Sequence, residues 1–481
     1  MNLENMIPYL VIAAYLFFTL WVGIIASRQQ DNTPQQYFVA NRKISPIVLF
    51  FTLSATNFSA FTFLGFAGAG YRIGISYYPM IAFGTALVAL TFYVIGYPVW
   101  RLGKSHELIT PPELIENRFN SKILKWLFLG VMVIFTLPYL TIQPIGAGYL
   151  LENLTGGQIP YFVGATFLTS IIVFYVFLGG MRSVALTDVL QGVLMLVFAL
   201  AAVGAIANNL GGVTEANRTV YSLNPELFSR QGVDNFFTPK KWFSYMLLWM
   251  LSVPMFPQMF MRFYAAKTDN ALKVSAVVYP LVTAVLFICP VIIGMWGHIA
   301  FEGLEEKASD RILPMMLTEY TSIWLASSVT VGALAAFMST LDSQLLALSS
   351  MLTRDLYTSY LRPHASFSEQ TWVGRVLIVV LAIIGLAIAY NPPNTIFAMA
   401  EQAFTGLAVL FPTVIAALYV RNINPTSCII SIVVGEAAVL GFQLGIIPQN
   451  LTFGFLPVVP IVTLSTFIIL VGAIITSKGR V

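Results

Sequence analysis

Apolar residues in this chain come in runs of about twenty or more, one after another, from residue 6 to residue 476. A helix of that length crosses the hydrocarbon core of a bilayer. Inside that core each backbone N–H and C=O must find its partner within the protein, which leaves helices or a closed barrel. Continuous rather than alternating apolarity selects helices. Of the 481 residues 58% are apolar and only 10% are charged, against about 25% charged in soluble domains. Mean hydropathy is +0.81. That balance excludes a soluble enzyme, a disordered chain and a nucleic-acid binder. The expected fold class is an all-α integral membrane protein, multi-pass in the plasma membrane.

Charge, Gly and Pro divide the chain into about 13 transmembrane helices, at 6–27, 45–70, 76–102, 123–151, 160–180, 185–206, 242–262, 272–299, 318–353, 371–390, 396–420, 427–446 and 456–476. These are called segments 1 to 13. Segments 4 and 9 exceed one crossing, so tilt or a helical extension is expected. Segment 1 reads as a retained span rather than a signal peptide. With the N-terminus outside, 18 of the 25 Lys and Arg fall on the inside, Arg28, Arg262 and Arg480 among them, and 7 outside. Basic residues concentrate on the cytoplasmic side, so an N-out, C-in orientation follows. The +4 net charge reflects those inside loops and implies no acidic partner. One long outside loop, 207–241, follows segment 6, and the outside stretch Glu302–Arg311 is charge-rich. Cys289 and Cys428, and His106, His298 and His364, form no disulfide or zinc pattern.

Two segments are built to break. Segment 2 carries Ser54-Ala55-Thr56-Asn57-Phe58-Ser59 and then Gly65, Gly68 and Gly70, and segment 7 carries Pro254 and Pro257. Proline removes a donor and diverts the helix. The two lie five segments apart, hence in opposite orientations, as an inverted repeat requires. Interrupted helices at matching positions of two halves point to a transporter binding site; ordinary kinked packing is the alternative.

Acids at bilayer depth are expensive. Those within segments are Asp188, Asp342, Glu401 and Glu436. Ser339, Asp342 and Ser343 share one face of segment 9 by their spacing, and Thr187, Asp188 and Gln191 share one face of segment 6. Such faces offer only hard oxygens, which suit a hard cation, and Na+ fits. Helix–helix glue by Ser and Thr explains the hydroxyls well and the aspartates poorly. Asp188 and Asp342 are therefore expected to bind an ion or relay a proton. Glu401, near the outer end of segment 11, is expected to reach interfacial water. At the breaks, Phe58, Phe61 and Trp249 are candidates for a substrate cage or gate.

Four stretches carry a family resemblance: Tyr37-Phe38-Val39-Ala40-Asn41-Arg42; Ser54-Ala55-Thr56-Asn57-Phe58-Ser59; Gly179-Gly180-Met181-Arg182-Ser183-Val184-Ala185-Leu186-Thr187-Asp188-Val189-Leu190-Gln191; and Met338-Ser339-Thr340-Leu341-Asp342-Ser343-Gln344-Leu345-Leu346 followed by Arg354-Asp355-Leu356-Tyr357. The chain resembles the sodium/solute symporter family. The resemblance implies a LeuT-type 5+5 inverted repeat. The first helix and inside loop would occupy 1–44, the first repeat (segments 2–6) 45–206, the outside loop 207–241, the second repeat (segments 7–11) 242–420 and two further helices 421–481.

It also implies a principal Na+ site made by the carbonyls of Ala55, Phe58 and Ala336 and the hydroxyls of Ser339 and Thr340. A second site for a cation or proton, found in some members, would use Asp188, Ser339, Asp342 and Ser343. Asp342 stands where the family has a hydroxyl residue, and it would tighten a second Na+, hold a proton or answer a cationic group. Substrate candidates are Ser59, Thr62, Tyr77, Tyr139, Gln143, Trp249 and Gln258. The sialic-acid branch has an arginine in segment 4, and Leu137-Pro138-Tyr139-Leu140-Thr141 has none. The stretch Pro257–Arg262 is nearer the pantothenate and monocarboxylate branches.

The function expected is Na+-coupled symport of a small organic solute, a small carboxylate or pantothenate-like molecule in preference, by alternating access. The partners expected are that small molecule, Na+ and the lipid bilayer, with no nucleic acid. A monomer suffices for this function. Competing readings are an H+-coupled symporter using Asp188 and Asp342, a sugar or amino-acid Na+ symporter and, more remotely, a channel or transporter-like sensor.

Overall fold

Deprived of water, the apolar runs satisfy their backbones as helices, and the computed structural model is helical throughout the residues it describes, 3–27 and 33–478. An isolated parallel bridge between Ile44 and Ala266 is the one extended pairing among them. Arg28 and Arg480 of the charge count lie outside these residues. Among the described residues ten helices are long and apolar enough to cross a membrane, or eleven if the bent pair Pro46–Asn57 and Phe61–Ile73, at 56° to each other, is one crossing.

Segments 1, 3, 4, 8, 10, 12 and 13 are the helices Leu3–Ser27, Tyr77–His106, Lys122–Leu154, Asp269–Ile299, Phe367–Ala389, Pro425–Gln443 and Val458–Lys478. Segments 5 and 6 form one helical run, Tyr161–Asn209, turned at Gly180 (φ 52°, ψ −154°). Only glycine adopts that conformation without strain, and Tyr37 fills the space where a side chain would go. Segment 7 is broken as its prolines demand: Pro239–Ser252, a turn at Val253–Met255, extended Phe256, then Pro257–Ala265. Segment 11 falls into Ile396–Ala408 and Phe411–Tyr419.

Segment 9 departs from its expected bounds. It starts at Ile323, where the Ser322 side chain caps the helix, and runs through Met351 into a looser turn ending at Leu361. Residues 318–320 belong to a separate short helix, Ile312–Tyr320. The expected extension of this segment is thus on its far end. The long loop 207–241 contains a helix of its own, Val213–Leu223.

From Val329 to Met351 segment 9 is buried on every face, its polar side chains included. It packs on segments 5 and 6, 4 and 1. Large apolar side chains such as Phe17, Phe174, Leu281 and Phe467 are exposed on the outer helices, where lipid would cover them. The outer half of segment 2 lies directly against segment 8, since a methyl at Gly294 would collide with the Ala67 carbonyl. On the face read as cytoplasmic, buried Lys125 pairs with Glu116 and Asp355. On the opposite face, Asp310 accepts the Ile396 N–H at 2.8 Å and faces Arg72 at 3.7 Å, tying the outer half of segment 2 to the start of segment 11.

Two expectations follow. Gly180→Ala should lower the thermal midpoint of the purified protein, by about 1–3 kcal/mol of strain, whereas Gly204→Ala, in the same helical run with no neighbour to meet, should raise it slightly, as Ala for Gly does inside a helix. Burial pushes the Asp310 carboxyl up to about 6 against the pull of Arg72 and the Ile396 N–H. The folded chain then holds this proton more tightly than the unfolded chain, whose aspartates titrate near about 4. Stability from this group is full below that value and is lost as pH rises through about 6. The midpoint should therefore rise from about pH 7 to about pH 5, and Asp310→Asn should flatten that interval; a variant with the wild-type slope would remove Asp310 as the source.

Candidate functional site

The inner half of segment 2 stops at Asn57 because Phe58 is extended (φ −90°, ψ 113°). The break frees carbonyls deep in the protein, and segment 9 answers them. Ser339 Oγ donates to Ala55 O at 2.9 Å and lies 2.9 Å from Ala336 O. Thr340 Oγ1 faces Thr56 O at 3.1 Å and Phe58 O at 3.0 Å. The five residues expected to form the principal cation site thus meet at one junction, with Thr56 O beside them. Each hydroxyl has one proton to share between two carbonyls. The junction is rich in oxygen and poor in donors, which is the chemistry a small hard cation completes.

One turn toward the inner end of segment 2 lies a second cluster. Asp188 Oδ2 accepts from Thr52 Oγ1 and pairs with Arg262 Nη2 at 3.0 Å. Both side chains of the pair are 0% exposed. Arg262 Nε donates to Thr52 Oγ1 at 2.8 Å, Nη1 to Gln258 O at 2.9 Å, and Nη2 also to Ser343 Oγ. This corrects the reading of Arg262 as an inside-loop residue. The break in segment 7 turns its last helix, Pro257–Ala265, into the core, where a buried carboxylate requires a partner. Of the residues expected at the second site, Asp188 and Ser343 both meet Arg262, while the Ser339 hydroxyl bonds the carbonyls of the first junction. Asp342 accepts Tyr175 OH at 2.5 Å and Ser343 Oγ at 2.9 Å.

Four substrate candidates gather where segment 2 resumes. Ser59 Oγ and Tyr139 OH are 2.8 Å apart, and Gln143 Oε1 accepts the Ala60 N–H at 2.9 Å. Thr62 Oγ1 accepts the Ser59 N–H at 3.3 Å. Trp249 closes one side, its ring 5.5 Å from Phe61 and 4.6 Å from Phe404. Tyr77 lies a layer away, packed on Phe66 and Phe397, with its hydroxyl unpartnered. Gln258 sits apart beside Arg262, its Oε1 unpartnered. Phe58 does not join the aromatic group: its ring packs on Tyr279 and Phe287 of segment 8. Glu401 is half-buried and accepts Tyr245 OH at 3.3 Å.

Sequence reasoning missed Arg262, Thr52 and Tyr175. The signal for Thr52 is its spacing, four residues before Thr56 on the same face of segment 2. The signal for Arg262 is the pair of buried aspartates, which leaves negative charge without an answer.

A model of the sodium:solute symporter family matches residues 37–435. The sodium/pantothenate symporter of Escherichia coli (strain K12) is 28% identical, over 98% of this chain and 96% of that protein. The sodium/proline symporter of Staphylococcus aureus (strain JH9) is 27% identical, over 98% and 94%. Among solved structures, the substrate-bound outward-open state of a Na+-coupled sialic acid symporter superposes with a TM-score of 0.81 at 18% identity, covering 98% of each chain. That likeness is one of fold.

Proposed function

The chain belongs to the sodium:solute symporter family, and we propose from that premise how its geometry couples an ion to a solute. It is a multi-pass plasma-membrane protein and a Na+-coupled symporter. Na+ binds at the junction of segments 2 and 9, held by Ala55 O, Phe58 O, Ala336 O, Ser339 Oγ and Thr340 Oγ1. The observation that carries this reading is that two hydroxyls of one helix meet the carbonyls of a break in another. When the ion enters, the hydroxyls turn their lone pairs to it and the carbonyls exchange a shared proton for a full charge. The ion thereby bridges the two segments and sets the shape of the break.

Substrate binds on the other side of that break, at Ser59, Thr62, Tyr139, Gln143 and Trp249. The resumed half of segment 2 begins there, and the N-terminal end of a half-helix attracts anionic groups. Its first N–H groups now rest on Gln143 Oε1 and Ser59 Oγ, which a carboxylate would replace. Pantothenate and proline, named for the relatives, both carry a carboxylate, which supports a small carboxylate substrate. Each net positive charge carried inward gains about 2.3 kcal/mol per 100 mV of membrane potential, and for an anionic carboxylate moving with Na+ the Na+ concentration gradient supplies the drive. The coupling is reciprocal: substrate tightens Na+ by the factor by which Na+ tightens substrate.

Thirteen crossings with the N-terminus outside complete the reading, with segments 2–6 and 7–11 as inverted repeats. It is supported by the broken segments 2 and 7 and by the turn at Gly180, which divides a 49-residue run too long for one crossing. The pairing of Asp188 with Arg262 tells against a proton carrier at Asp188.

In liposomes, an inward Na+ gradient should drive accumulation from a panel of labelled pantothenate, proline, small monocarboxylates and sugars, with a carboxylate preferred. Accumulation of a sugar alone would overturn the substrate reading; accumulation driven by pH alone would overturn the Na+ site. Ser339→Ala and Thr340→Ala should each raise the Na+ concentration for half-maximal uptake about tenfold, or about 1.4 kcal/mol, with yield retained. An equal loss of yield and uptake would make these hydroxyls packing groups.

A further inference from the structure

Arg262 stands where a second cation would. Its guanidinium is fully buried and lies among segments 2, 6, 7 and 9, with Nε on Thr52, Nη1 on Gln258 O, and Nη2 on both Asp188 and Ser343. Asp188 and Ser343 are two of the four residues that a second ion would draw on. A third, Ser339, gives its hydroxyl to Ala55 O and Ala336 O at the first junction.

Ser343 has no capacity left. A hydroxyl has one proton and two lone pairs, and Ser343 Oγ already meets Arg262 Nη2, Ser339 O at 2.7 Å, Thr56 Oγ1 at 3.1 Å and Asp342 Oδ1 at 2.9 Å. Asp188 Oδ1 lacks a partner, as do Gln258 Oε1 beside Arg262 and Gln191 Oε1 on the same face of segment 6, and three oxygens are still short of the roughly six that a dehydrated hard cation takes. A mobile cation placed between Asp188 and Ser343 would also lie against the guanidinium, whose charge is permanent.

We propose that Arg262 is the resident cation of the Asp188 pocket, so that the chain binds and carries a single Na+ per cycle. The covalent charge does structurally what a second ion would do, joining segment 6 to segments 2 and 9, without being exchanged across the membrane. Asp342 stays on the far side of Ser343, held by Tyr175. The assignment rests on Na+ coupling at the junction of segments 2 and 9.

Equilibrium binding of radiolabelled Na+ to purified full-length protein tests it. Wild type should saturate at one ion per chain with a Hill coefficient of one, and Arg262→Lys should do the same. Arg262→Gln leaves Asp188 unanswered and should recruit a second ion, giving two per chain and a steeper curve. Asp188→Asn combined with Arg262→Gln should return to one. Two ions per chain in wild type would overturn the proposal, as would Arg262→Gln staying at one ion while eluting as a single folded species. If Arg262→Gln cannot be purified, the wild-type count and the Na+-to-solute flux ratio decide between one and two. No saturable binding by wild type would instead overturn the Na+ reading, and this assignment with it.

Discussion

A broken helix in a membrane protein leaves carbonyls that neither water nor its own turns can satisfy, and the rest of this structure is organised around that debt. The break at Phe58 needs donors, and segment 9 brings two hydroxyls, on Ser339 and Thr340, to three of its carbonyls, Ala55 O, Thr56 O and Phe58 O. For those hydroxyls to reach, segment 9 must run through the centre of the protein, buried on all sides. Its small residues allow this: Ala333, Ala335, Ala336 and Ala347 let neighbouring backbones come close. The break also sets where segment 2 resumes, and so where Ser59, Tyr139 and Gln143 converge.

Charge is the second constraint. An unanswered carboxylate in this interior would cost several kcal/mol, yet the chain buries Asp188 and Asp342 close to the break. Arg262 answers the first, and Tyr175 and Ser343 hydrogen-bond the second. Arg262 reaches Asp188 only because segment 7 is itself broken, at Phe256. The two interruptions therefore meet: one frees carbonyls on segment 2, and the other delivers to Asp188 on segment 6 a counter-charge that also bonds Thr52 of segment 2. The far end of segment 9 repeats the pattern, where Asp355 is held by Lys125 and Thr110.

Most of the helical layout was legible in the sequence, because continuous apolar runs have one solution in lipid. The breaks were legible too, since Pro254, Pro257 and the polar stretch around Asn57 contradict a regular membrane helix. The bound that failed is the start of segment 9. Ser322 just before Ile323 is itself a helix-start signal, but apolar residues on both sides of it read as one run. The junction of Ser339 and Thr340 with Ala55 and Phe58 was reached through the family resemblance; spacing on one helix cannot tell which carbonyls on another it will meet. Arg262 was misread for a physical reason. A positive charge just past an apolar run usually marks the membrane surface, and only the fold shows that the helix carrying it turns inward.

The two polar clusters differ in a way that bears on transport. The junction at the break holds no carboxylate: its oxygens are carbonyls and hydroxyls, each with an alternative partner a rotation away. A cation bound there, as proposed, leaves behind a site that can restore its own hydrogen bonds, so release costs little. The Asp188 cluster lacks that freedom. Removing its cation would strand a carboxylate in a dry interior, and an ion held so firmly would leave slowly. A transporter must let its ion go on every cycle, so the strong site is better filled by a charge on the chain itself. The weak site is the one suited to an ion that comes and goes.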